Sequence, residues 1–302
     1  REEYDVAVMR NVMIPMRDGV RLTADVYRPV REGRVVETPM PVLLERTPYN
    51  KAEPLRVQRN AEYFVRRGYV SVIQDVRGRF RSEGKFYFMA REAPDGFDTV
   101  EWIARQPWCN GKVGTQGTSY MASVQSALAT LAPKGLASMC VNQGVSNAHT
   151  SSVRQGGAFE MRFFCWAFRY GALSKEALGD PVVGEALGRV NLREWLTRTP
   201  LKRGCSPLQF IPAYEEWAFD ILTQGDYDDY WKQRGFNIEE YWDEHADVPV
   251  YLFGGWYDSW GRQTTMSYMA LARSEKSPQK LIMGPWIHGA HTRSAHGQVD
   301  FG

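Results

Sequence analysis

Val113-Gly114-Thr115-Gln116-Gly117-Thr118-Ser119-Tyr120-Met121-Ala122 runs from a β-prone stretch through a Gly-x-Ser turn into a helix-forming one. Val113 and Gly114 close the β-prone part, Gly117 permits close backbone approach, and Met121 to Leu131 carries apolar residues at helical spacing. A serine on such a turn exposes its Oγ above a helix N-terminus, whose free N–H groups and dipole favour developing negative charge. Met121 stands where the usual pattern has a second glycine, and the small residue falls one place later, at Ala122. Taken alone, the segment also reads as a Gly/Ser-rich turn without chemistry.

A serine nucleophile needs a base, and the base needs an orienting carboxylate. Val248 to Asp258 is an apolar strand that breaks at Gly254-Gly255 and delivers Asp258 at its C-terminal end. Gln279 to His288 is a second such strand, delivering His288 just past its end. Ligands of open parallel α/β sheets bind outside the carboxyl ends of the strands, so Ser119, Asp258 and His288 are expected on one rim. Their chain order is Ser, Asp, His. Each has a plainer reading in isolation. Asp258 reads as an N-cap for a helix over Ser259 to Ala272. Of the five histidines, His149 and His245 lie in polar, loop-like or helical sequence, and His291 and His296 lie in a Gly/Ala/Ser-rich tail expected to be solvated. Only His288 follows an apolar strand.

Gly117-Thr118-Ser119-Tyr120-Met121-Ala122, Gly254-Gly255-Trp256-Tyr257-Asp258-Ser259 and Gly284-Pro285-Trp286-Ile287-His288 resemble the nucleophile, acid and base segments of the cocaine esterase-like (CocE/NonD) hydrolases. These are relatives of the X-Pro dipeptidyl-peptidases and α-amino-acid ester hydrolases. Further matches are Ile14 to Leu22, Arg46-Thr47-Pro48-Tyr49 and Gln74-Asp75-Val76-Arg77-Gly78, and the resemblance weakens between about residues 145 and 245. It implies an α/β-hydrolase fold, a mostly parallel sheet with an inserted helical cap. It also implies a serine hydrolase with Ser119 as nucleophile, His288 as base, Asp258 as its partner, and no cofactor or metal. The Tyr49 hydroxyl and the Tyr120 N–H would form the oxyanion hole; Tyr49 follows the strand-like run Pro41 to Arg46 and so should emerge on the same rim.

The implied substrate is a small-molecule ester with a small or aromatic acyl group. The alternative is an α-amino-acid ester, a β-lactam or an X-Pro peptide, whose ammonium needs carboxylates; Glu215, Glu216, Asp220, Asp226, Asp228 and Asp229 are candidates, though a solvated helix face explains them too. A hydrolase scaffold acting as a catalytically silent binding module is a third reading. Relatives continue into a β-rich jelly-roll domain of which Ser294 to Gly302 gives no sign. The chain therefore reads as a fragment without that domain, with part of the acyl pocket and some apolar sheet surface uncovered. A jelly-roll domain or a partner fragment is the macromolecular partner this implies, and a homo-oligomer is left open.

The rest of the chain has a readable rhythm. Asp18-Gly19 between two alternating runs predicts a hairpin. Strands near residues 41–46, 69–75, 112–117 and 136–142 alternate with helices near 54–67, 93–106 and 119–132, the βαβ pattern of a parallel sheet. From about Ser146 to Asp247 that rhythm gives way to aromatic-rich helical segments, a cap over the rim. The predicted organisation is thus core (1–145), cap (146–247) and core (248–302). Asp75, Arg77, Arg79 and Arg81 form a charged loop, read as internal bracing rather than an anion grip. The 37 Lys and Arg against 35 Asp and Glu give a net charge of +2 without a long basic run, which argues against nucleic acid and anionic membranes as partners. No eighteen-residue apolar stretch and no signal peptide appear, so a cytoplasmic location is the expectation. Cys109, Cys140, Cys165 and Cys205 lack metal-ligand spacing, and Cys140 reads as a core thiol in a buried strand.

Overall fold

The structure is a computed structural model describing residues 3–198, 200–274, 276–289 and 293–302; His291 lies outside them. The turn at Asp18-Gly19, with Gly19 at φ +84°, joins β1 (Asp5–Pro15) to β2 (Arg21–Arg31) in an antiparallel pair, and the short β3 (Arg34–Val35) folds back on β2. β4 (Met40–Thr47) then opens the parallel part of the sheet. The helical segment predicted over 54–67 is interrupted: α1 (Pro54–Val57) and α2 (Tyr63–Val65) flank a π-helical turn at Gln58–Glu62. β5 (Val70–Asp75), α3 (Glu92–Ala104), β6 (Cys109–Thr118), α4 (Tyr120–Ala129) and β7 (Leu136–Asn142) follow as the rhythm requires.

After β7 come α5 (Ala148–Ser151), a ribbon of β8 (Arg154–Gln155) and β9 (Ala158–Phe159), α6 (Met161–Gly171), α7 (Lys175–Gly179), α8 (Pro181–Gly188), α9 (Leu192–Thr197) and α10 (Pro212–Thr223). The chain then returns to the sheet with β10 (Val250–Gly255), α11 (Gly261–Ser274) and β11 (Gln279–Gly284). Ser294 to Gly302 holds a small hairpin of β12 (Ala295–His296) and β13 (Val299–Asp300).

Among the described residues the main sheet has nine strands, ordered β1-β2-β5-β4-β6-β7-β10-β11 with β3 beside β2. Every pair from β5 to β11 along this order is parallel. This is the α/β-hydrolase fold. One face is closed by α3, α4 and α11 over Val42, Leu44, Val113, Met139, Val141, Val250 and Leu252, all at most 4% exposed. On the other face α1, α2 and the π-turn cover only the β2, β5 and β4 side. Over β7, β10 and β11 the side chains of Cys140, Phe253 and Lys280 are partly or fully accessible, and Tyr251 and Ile282 are both 37% exposed. Cys140 is therefore not the core thiol expected from its apolar surroundings. Alternation along β7 puts it on the open face while Met139 and Val141 point into the closed one.

The segment between β7 and β10 builds its own aromatic core around Phe164, Phe168, Trp217, Trp231 and Phe236, which packs on Phe86 and Phe88 of the loop after β5. Gly235 makes that contact possible, because a Cβ there would stand 1.9 Å from the Met89 carbonyl oxygen. His245 lies buried where this segment rejoins the sheet, its Nδ1 2.9 Å from the Ala246 carbonyl oxygen. Burial holds the imidazole neutral, moving its pKa from 6.5 down to about 4. The depressed folded-state value means that the unfolded chain binds the extra proton between pH 6.5 and 4. Stability attributable to His245 is thus complete above pH 6.5 and falls by about 3 kcal/mol toward pH 4. Urea titrations of wild type and His245→Gln at pH 7 and pH 4.5 should show a smaller acid-induced loss in the variant.

Candidate active site

Ser119 stands between β6 and α4 at φ +65°, ψ −120°, a conformation a non-glycine residue adopts only under constraint. Its N–H donates to the Asn142 carbonyl oxygen at 2.9 Å, and its own carbonyl accepts from the N–H groups of Ala122 and Ser123 at 3.0 Å each. The turn requires its glycine at 117. Gly117, at φ +149°, faces Met121 so closely that a Cβ at 117 would lie 2.4 Å from the Met121 Cβ. The small residue is needed at 122, because Ala122 packs under Gly144, where an added Cβ would come within 3.2 Å of the Ala122 Cβ.

The ends of β10 and β11 lie level, with Gly255 opposite Gly284. A Cβ on Gly255 would meet the Trp286 carbonyl oxygen at 2.1 Å, so the loops carrying Asp258 and His288 touch only because residue 255 has no side chain. His288 Nε2 is 2.7 Å from Ser119 Oγ, and His288 Nδ1 is 3.1 Å from both Asp258 carboxylate oxygens. Asp258 Oδ1 also accepts the Trp260 N–H at 3.1 Å, and the Trp260 ring lies edge-on to the imidazole with centroids 4.6 Å apart. Asp258 is therefore not the N-cap of a helix over Ser259 to Ala272: it closes a turn through the Trp260 N–H, and the helix starts later, at Gly261.

Tyr49 leaves the end of β4, its N–H held by Thr47 Oγ1 at 3.0 Å, and its phenol reaches the same cavity as Ser119 and His288. Burial pushes its pKa well up, so the phenol keeps its proton. Tyr120 is the first residue of α4, and its N–H has no acceptor within the helix. Its side chain points away from the cavity's reacting corner into a buried network: the phenol donates to Glu92 Oε1 at 2.7 Å, and Glu92 pairs with Arg46 at 2.8 Å. Burial raises the Glu92 carboxyl against the pull of Arg46. The loop beneath Tyr49 is tied by Asp75, whose Oδ1 accepts the Lys51 N–H at 2.7 Å and whose pKa burial lifts to about 7. The charged loop braces the structure as expected: Arg77 pairs with Asp95 and Asp18, and Arg79 donates to the carbonyls of Pro48 and Tyr170 and to the Tyr214 hydroxyl.

These residues open into a cavity of about 510 Å³ walled by Phe88, Phe163, Trp166, Tyr170 and Trp260. Its charged side chains are Arg162 and Arg169 of α6. Glu215 accepts the Gly204 N–H, Asp220 pairs with Arg203 and Tyr87, and none of the six acids named from the sequence lines the cavity. Among the described residues no three His, Cys, Asp or Glu side chains gather to hold a metal. No described helix is long and apolar enough to cross a membrane.

The model of the X-Pro dipeptidyl-peptidase (S15) family matches residues 18–290. The chain belongs to that family. The S15 chain is 32% identical over 291 residues to the cocaine esterase of Rhodococcus sp. (strain MB1 Bresler), covering 93% of this chain and 49% of the relative. Among solved structures it resembles a CocE/NonD family hydrolase from Staphylococcus aureus (TM-score 0.65, 20% identity, 92% of this chain and 46% of that one). It also resembles an aminopeptidase from a marine sediment archaeon of the Thaumarchaeota (TM-score 0.71, 22% identity, 99% and 52%). The chain spans about half the length of the curated relatives it matches.

Sequence reasoning missed Gln143, which no motif marks. Fully buried after β7, it accepts the Gly289 N–H at 2.6 Å and donates to the Ile287 carbonyl at 3.1 Å, clamping both neighbours of His288. Gln143→Leu, similar in size, strands both backbone groups and should lower stability by about 2 kcal/mol in urea titration.

Proposed function

We propose that this chain hydrolyses carboxylic esters through an acyl-enzyme on Ser119. The observation that carries the reading is the 2.7 Å contact from His288 Nε2 to Ser119 Oγ, with Asp258 on the opposite ring nitrogen, facing an apolar cavity. His288 takes the Ser119 proton as Oγ attacks the ester carbonyl, and Asp258 offsets the charge of the imidazolium. The oxygen of the tetrahedral intermediate accepts from the Tyr49 hydroxyl and the Tyr120 N–H. His288 then protonates the departing alcohol, and water releases the acyl group by the same route. These steps use side chains and backbone alone.

Intact, folded protein should therefore take one fluorophosphonate adduct, on Ser119, read by mass spectrometry of its peptides, and Ser119→Ala should take none. Absence of that adduct from folded wild type would replace the enzyme reading with that of a binding scaffold.

The cavity wall favours one substrate class over the other. Its aromatic rings suit an apolar or aromatic acyl group. Arg169 repels an α-ammonium, Arg162 is already paired with Glu160, and the lining residues include no carboxylate to hold an ammonium. The cocaine esterase of Rhodococcus, whose name records ester cleavage, supports the same class. In a panel of matched aryl esters, acyl groups without a free α-amine should give the higher kcat/KM. A consistent preference for the free amine would favour aminoacyl or peptide substrates instead.

A further inference from the structure

Tyr49 has one hydrogen to donate and an oxygen that can accept. The Trp166 Nε1–H of α6 lies 3.2 Å from that oxygen. Indole nitrogen is a donor only, so in this contact the phenol oxygen must be the acceptor. The single Tyr49 proton is left without an acceptor among the described residues, on a hydroxyl that borders the same cavity as Ser119 Oγ and His288. Trp166 reaches this position on a rigid support. Its ring packs edge-on to Tyr49 at 6.3 Å, against Tyr170 at 4.6 Å, and beside Phe86 and Phe88 at 5.9 and 5.5 Å.

We propose that Trp166 is a positioning residue of the oxyanion site, fixing the Tyr49 hydroxyl by an indole hydrogen bond so that its proton points at the developing oxyanion. An N–H donated to a hydroxyl oxygen also polarises the O–H and strengthens it as a donor. The consequence is that α6 completes an oxyanion site otherwise built on the sheet. With α6 displaced, the phenol rotor is free and the substrate pocket loses a wall together with its best-aimed donor. This inference rests on the esterase reading of Ser119.

The test is a double-mutant cycle on kcat for a small aryl acetate, whose acyl group is too short to depend on the cavity wall. Tyr49→Phe should lower kcat about a hundredfold. Trp166→Phe should lower kcat about fivefold with little change in KM, the worth of one neutral hydrogen bond. In the Tyr49→Phe background, Trp166→Phe should have no further effect on kcat. Replacing the Trp166 indole by the isosteric benzothiophene amino acid, which swaps only N–H for sulfur, should reproduce the fivefold loss without disturbing packing. An equal loss from Trp166→Phe in both backgrounds, or unchanged kcat with benzothiophene, overturns the proposal while leaving the esterase reading intact. A wild type that neither hydrolyses the acetate nor takes the fluorophosphonate overturns the esterase reading, and this proposal with it.

Discussion

The constraint on which the site depends is the backbone of Ser119, held at positive φ between a parallel strand and the helix it caps. Such a conformation costs about 1–3 kcal/mol and persists only where neighbours over-determine it. Here the neighbours are the Asn142 carbonyl on one side and the buried length of α4 on the other, with Gly117 and Ala122 making the two close approaches that let strand and helix meet at that angle. Removing either small residue would press on the turn that aims Oγ at His288.

The acid and base reach that turn by a second close approach, between Gly255 and the Trp286 carbonyl. Gln143 then secures both flanks of the imidazole from β7, the strand whose end also binds Ser119. Three strand ends thus share one hydrogen-bonded junction. The buried Tyr120–Glu92–Arg46 network plays the matching role beneath the first N–H of α4, tying it to α3 and β4. The sheet orients Ser119, Asp258 and His288, while the helices between β7 and β10 supply much of the pocket wall.

Much of this was legible in the residues. The strand-turn-helix around Ser119, the strand ends before Asp258 and His288, and the Asp18-Gly19 hairpin all leave local signals in period and turn chemistry. Non-local features left none. Gln143 follows Asn142 in a polar run that resembles any loop, and its value comes from residues 287 and 289, which lie far along the chain. Helical spacing in Phe159 to Phe168 announced an aromatic helix but not which face meets the cavity. Cys140 was misread because its apolar neighbours implied cover on both faces, whereas a strand's two faces are buried by different partners.

That half-covered sheet has a bearing on handling. Tyr251, Phe253 and Ile282 form a greasy strip across β10 and β11, bordered by Lys280 and the Cys140 thiol. Sulfate and phosphate strengthen apolar association, so concentrated buffers of these salts would favour contact between copies through the strip. Dilute non-ionic surfactant would cover the strip instead, and a reductant would keep the half-buried Cys140 thiol free.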